Sequence, residues 1–114
     1  MAGISTHVLD LSTGDPAAGV EVTLELWSEG EGWWVLGSAT TDDDGRLRDL
    51  VPAGRRLLPG TYRLTFASGT YFRNRGAESF HPEVTVVFRV RDASRHHHVP
   101  LLIAPWGYTT YRGT

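Results

Sequence analysis

The 114-residue chain has no cysteine. That excludes disulfides and thiolate chemistry and leaves the redox compartment open. No apolar run approaches the ~18 residues of a membrane span, so no membrane partner is expected. Neither sign of charge dominates: 13 acidic residues oppose 11 basic ones, for a formal charge of −2. This balance leaves no basic footprint for nucleic acid. Every basic residue is arginine, which codon bias explains. There is no G-x-S-x-G elbow and no P-loop. There is also no long helical pattern, internal repeat or low-complexity segment. The opening MAGISTHVLD lacks the basic and apolar regions of a secretory signal, so the expected location is the cytoplasm. The length predicts one domain over residues 1–114.

What is present is mostly strand. Ile4 to Asp10 is a β-rich run, and Val20, Val22, Leu24 and Leu26 alternate with polar residues as in a half-buried strand. Trp33 to Thr41 follows the turn residues Glu29 to Gly32. TDDDGR, from Thr41 to Arg46, reads as a tight turn with Gly45 free to take positive φ. Tyr62, Leu64 and Phe66 alternate after Pro59-Gly60, and Thr70 to Arg75 suggests one or two helical turns. Glu83 to Val90 and His96 to Ile103 are further strands, and the turn Pro105-Trp106-Gly107 leads to a last one, Tyr108 to Gly113. Seven or eight short strands with Gly, Pro and Asp turns predict an all-β sandwich. Its open edges favour oligomerisation. Trp27, Trp33, Trp34 and Trp106 are expected in the core or an interface.

Four of the five histidines fall in two strands: His7 in the first, and His96, His97 and His98 opening the penultimate one. Alternation puts His96 and His98 on one face and His97 on the other. If the two strands share a sheet, His7 and His98 converge as a pair suited to general acid–base work near pH 7. Hydrogen-bonded surface histidines are the plainer reading of each, above all of His97. A zinc triad of His7, His96 and His98 is a further reading, with no obvious carboxylate or cysteine ligand to strengthen it. Arg46, on a rigid turn, can hold a planar anion or make a weak salt bridge to Asp42, Asp43 or Asp44. His81, between Phe80 and Pro82, is given a structural or surface role. The closing Tyr111, Arg112, Gly113 and Thr114 bring a phenol, a guanidinium and a hydroxyl where chain ends are usually disordered and polar. That segment is expected to line a site.

Taken together, the blocks ISTHVLDLSTGDPAAGVEV, TDDDGR, LPGTYRLTF, FHPEVTVVF and HHHVPLLIAPWGYTTYRGT resemble the transthyretin-like family of 5-hydroxyisourate hydrolases over essentially the whole chain. The most specific element is the ending, usually YRGS in the family and YRGT here. The hormone-carrying transthyretins share the fold but lack the catalytic histidines and this ending. The resemblance implies a transthyretin-like β-sandwich of about eight strands with one short helix. It implies a homotetramer built as a dimer of dimers, with sites at the dimer–dimer interface. It implies a purine-derived small-molecule substrate, opened by hydrolysis in urate degradation without a cofactor or metal. By matching positions, His7, Arg46 and His98 are the catalytic residues. His96, Tyr111, Arg112, Gly113 and Thr114 are the substrate-binding ones. His97 stands where an aromatic residue, often tyrosine, is usual. The alternatives are a non-catalytic carrier of small aromatic ligands and a zinc-dependent cyclic amide hydrolase.

Overall fold

The computed structural model describes residues 2–114. In chain order the elements are β1 (Ile4–Asp10), β2 (Asp15–Pro16), β3 (Glu21–Ser28), β4 (Gly32–Thr40), β5 (Arg46–Leu47), β6 (Gly60–Phe66), α1 (Ser68–Asn74), β7 (Val84–Val90), β8 (His97–Ala104) and β9 (Gly107–Thr110). They form two sheets. One has the order β2-β1-β8-β9, with β5 also paired to β1; the other has the order β4-β3-β6-β7. The expected all-β sandwich with one short helix is what the chain adopts. β2 and β5 are two-residue strands that exist only through their pairing with β1.

Period-2 alternation builds the core. Ile4, Val8, Val22, Leu24, Leu64, Phe66, Leu101 and Ile103 are fully buried between the sheets. Tyr62 joins them because its hydroxyl has partners: it donates to Leu58 O at 2.6 Å and accepts from Leu58 N–H at 3.2 Å. Asp10 is buried at the end of β1 and accepts hydrogen bonds from Ser12 N–H at 2.9 Å and from the Tyr71 hydroxyl at 2.9 Å.

Several local expectations shift. The tryptophans do not enter the core: Trp27, Trp34 and Trp106 are 47, 51 and 69% exposed. Trp33 packs edge-on against Trp27 at 5.3 Å, with the Arg63 guanidinium over its ring at 4.3 Å. Arg63 is itself held by Glu25 in a bidentate pair at 2.8 and 2.9 Å. The last strand ends at Thr110 rather than Gly113. Its ladder to β8 runs from Ala104↔Gly107 to Leu101↔Thr110 and then meets Pro100, which has no N–H to continue it. The same register resumes at an isolated bridge, His98↔Gly113.

Candidate functional site

The site rests on the pairing of β1 with β8. The two strands run parallel, with Ser5 opposite His98 and His7 opposite Pro100. Side chains alternate across a strand. Ile4, Thr6, Val8 and Asp10 therefore face the core, while Ser5 and His7 face outward together with His98. Thr6 fastens the two strands by donating to Val99 O at 2.6 Å.

β5 lies on the other side of β1, with Arg46 opposite His7. The acidic turn before it is built on Asp42, whose Oδ1 accepts the backbone N–H groups of Asp44 and Arg46, each at 2.9 Å. The Arg46 N–H, opposed by slight desolvation, holds the Asp42 carboxyl below its usual range. Gly45, at φ +75°, brings the backbone against β1: its carbonyl accepts the Val8 N–H at 2.7 Å. The turn thus spends Asp42 on the backbone. Among the described residues the only ion pair is Arg63–Glu25, so the exposed Arg46 guanidinium makes no ion pair where it lines the cleft.

These elements enclose a cleft of about 300 Å³ lined by Ser5, Thr6, Arg46, Leu47, Arg48, His96, His98 and Thr114. His96 sits just before β8 and is exposed; His98 is half-buried. Ser5 Oγ is hydrogen-bonded to both rings, to His96 Nε2 at 2.7 Å and to His98 Nδ1 at 2.8 Å. The second nitrogen of His98 has no protein partner among the described residues. Burial pulls the His98 imidazole below the ordinary histidine value, and the charges of Arg46, His7 and His96 act in the same direction. The ring is therefore neutral near pH 7 and carries a usable lone pair.

His7 lies beside this cleft without lining it. Its Nε2 is 2.9 Å from Asp44 O; a carbonyl only accepts, so Nε2 carries the proton and Nδ1 is the free nitrogen. The closing segment divides. Gly113 N–H donates to His98 O at 2.9 Å and Thr114 reaches the cleft. Tyr111 and Arg112 line a second cavity, shared with His97, Phe88, Arg89 and His98, which borders both. His97 turns to that side as alternation requires. It is buried, and its Nδ1–H donates to Arg95 O at 2.9 Å. His81 takes a packing role between Phe80 and Tyr108, with ring centroids 5.0 and 5.1 Å away.

Ser5, Thr6, Leu47 and Arg48 are the cleft residues that sequence reasoning missed, and of these Ser5 touches the histidines. No motif marks a serine two residues before a histidine. Its position follows only once β1 is known to run parallel to β8 in this register. Among the described residues, no three His, Cys, Asp or Glu side chains group as a metal would require. The arrangement offers a neutral imidazole with a free lone pair, two guanidinium groups and two hydroxyls around one small volume. That set suits deprotonation of a water beside a bound planar anion.

The model of the HIUase/transthyretin family matches residues 4–113. A probable 5-hydroxyisourate hydrolase of Caenorhabditis elegans is 49% identical over 113 residues, covering 99% of this chain and 82% of the relative. Among solved structures, 5-hydroxyisourate hydrolase of Klebsiella pneumoniae is 39% identical with a TM-score of 0.85, covering 99% of this chain and all of that one. Transthyretin of Sparus aurata has a TM-score of 0.90 at 27% identity, covering 99% of this chain and 97% of its own.

Proposed function

The chain belongs to the HIUase/transthyretin family and is a hydrolase of it, and on that premise we propose that it hydrolyses 5-hydroxyisourate in urate degradation. The fold alone does not separate enzyme from carrier, because a transthyretin superposes as well as a hydrolase does. Sequence separates them, at 49 and 39% identity to the hydrolases against 27% to the transthyretin. The observation that carries the reading is the cleft itself, where His96, His98, Arg46 and Thr114 meet.

In the proposed reaction a water is deprotonated by the free nitrogen of His98, with His7 assisting from beside Arg46. The resulting hydroxide attacks the amide-type carbonyl of the six-membered ring. Arg46 holds the urate-like anion and stabilises the oxyanion of the tetrahedral intermediate. Collapse breaks the ring C–N bond, and the leaving nitrogen takes a proton from protonated His98. The product is 2-oxo-4-hydroxy-4-carboxy-5-ureidoimidazoline. Thr114 supplies a hydroxyl at the cleft wall. Tyr111 and Arg112 bear on the substrate through the placement of Gly113 and Thr114. A positioned base of this kind contributes ~10²–10⁴-fold.

We also propose a homotetramer assembled as a dimer of dimers. Two observations support it: β9 and β7 are edge strands, and Phe80, Trp106 and Tyr108 form an exposed aromatic cluster beside β9. Sedimentation velocity tests it, and a monomer at micromolar concentration would remove it.

The test of function is to generate 5-hydroxyisourate in place with urate oxidase and follow its ultraviolet absorbance with chelator present. Faster decay that disappears in His98→Ala is expected. Acceleration abolished by chelator and restored by zinc would favour a metal-dependent hydrolase. Saturable binding without turnover would favour a carrier.

A further inference from the structure

Ser5 stands where neither the sequence motifs nor the proposed roles place a functional group. Its side chain lies at the base of the cleft, its residue is 8% exposed, and its oxygen bridges two imidazoles. We propose that Ser5 is a positioning residue for the hydrolysis: its single hydroxyl proton couples the protonation of His96 and His98, fixing which nitrogen of His98 faces the substrate as a base. The proposal rests on the hydrolase reading of the cleft for its kinetic consequence, but its structural content stands apart from it.

A hydroxyl donates one hydrogen bond and accepts others. With a ring nitrogen at 2.7 Å on one side and another at 2.8 Å on the other, Ser5 donates to one and accepts from the other. Two arrangements of the neutral rings satisfy both bonds. In the first, Ser5 donates to His96 Nε2 and accepts from His98 Nδ1–H, leaving a lone pair on His98 Nε2. In the second, His96 Nε2–H donates to Ser5, Ser5 donates to His98 Nδ1, and His98 Nε2 bears a hydrogen. The first makes His98 a base towards the cleft; in the second its Nε2–H only donates a hydrogen bond there and the base is lost. Arg46 and Arg48 line the same cleft as His98, and positive charge there favours a lone pair over an N–H on the cleft side. The first arrangement is accordingly assigned to the resting state.

The same bridge provides a route for the proton. When His98 Nε2 takes a proton from water, the ring becomes an imidazolium whose Nδ1–H already points at Ser5. Transfer of that proton to Ser5 Oγ, with the Ser5 proton passing to His96 Nε2, leaves Ser5 unchanged. His98 is then neutral with its hydrogen on Nε2, and the positive charge rests on His96. That charge moves from a half-buried ring to an exposed one, where water solvates it. The reverse transfer restores His98 as an acid for the leaving nitrogen.

The test joins a spectroscopic and a kinetic measurement on the full chain. Long-range proton–nitrogen correlation spectra of the histidine rings at pH 8 report the tautomers without any substrate. The expected result is His98 in the Nδ1–H form in the native protein and in Ser5→Thr, with reversion to Nε2–H in Ser5→Ala. Native His98 in the Nε2–H form would overturn the proposal. In turnover, Ser5→Ala is expected to lose roughly 10²-fold in kcat, the lower end of what a positioned base contributes, with KM little changed and with recovery in Ser5→Thr. Full kcat in a folded Ser5→Ala would equally overturn it. Should Ser5→Ala fail to fold, the native spectrum still decides. Should the native protein lack hydrolase activity, the reading of function fails while the tautomer result stands.

Discussion

Gly113 lies directly against the ring of His98: a Cβ built on it would stand 2.5 Å from His98 Cδ2 and 3.1 Å from Pro100 Cγ. The glycine of the closing tetrapeptide is thus explained by close approach. Gly113→Ala must push the imidazole or the closing segment aside. Displacement of a catalytic group by about 1 Å costs on the order of 10² in rate. Turnover in Gly113→Ala should fall by about that factor while the thermal unfolding midpoint stays near native, because residue 113 is outside the core. Native turnover would show that the ring tolerates the displacement.

Gly45 makes a different demand. It holds φ +75°, and a Cβ there would lie 2.4 Å from Val8 O, a backbone atom that cannot rotate away. Gly14 has a similar φ of +78° with open space around it. Gly14→Ala should cost roughly 1 kcal/mol, the left-handed penalty alone. Gly45→Ala should cost more, about 3 kcal/mol or above, and should also displace Arg46. Urea unfolding of the two variants side by side checks this. Equal midpoints would mean that the turn relaxes freely.

The proposed base sets the pH response. Burial, then Arg46, His7 and His96, pull His98 below the ordinary histidine value. Its reactive neutral form therefore persists on the acid side of pH 6.5. The acid limb of the kcat/KM profile should fall at a pH below that value. Arg46→Ala, though much slower, should carry its acid limb to higher pH because one positive neighbour is gone. An acid limb that does not move would separate Arg46 from His98 electrostatically.

Much of this molecule was legible in the chain because its strands alternate cleanly. Ile4 to Asp10 is β1, and the inward set Val22, Leu24, Tyr62, Leu64 and Phe66 is buried as a period of two requires. His96 and His98 share the cleft and His97 turns away for the same reason. What local pattern cannot carry is set by pairing across the chain. β2 and β5 are two residues long and owe their existence to β1. β9 ends where Pro100 stands on its neighbour. Ser5 enters the site only through its register with His98. Ring size argues for the core or an interface, and positions on the outer face and at a hairpin tip exclude the core for Trp27, Trp34 and Trp106.

His97 ties acidity to stability on the side of β8 away from the cleft. Burial lowers its affinity for a proton; the Arg95 carbonyl opposes that, and the charges of Arg112, His96 and Arg95 reinforce it. The unfolded chain binds a proton at this position near pH 6.5, whereas the folded chain resists until lower pH. The unfolded state therefore holds more protons in that window, and stability falls as the pH drops below about 6.5. His98 contributes in the same sense. His97→Phe should be somewhat less stable at pH 7.5, by about 1 kcal/mol, since it loses the bond to Arg95 O. Between pH 7.5 and pH 5, however, its melting temperature should fall less than that of the native chain. The quantity to measure is this difference between the two drops, which cancels the fixed cost of the substitution. Equal drops would mean that His97 is hydrated when it charges, and the acid sensitivity would then rest on His98 and its neighbours in the cleft.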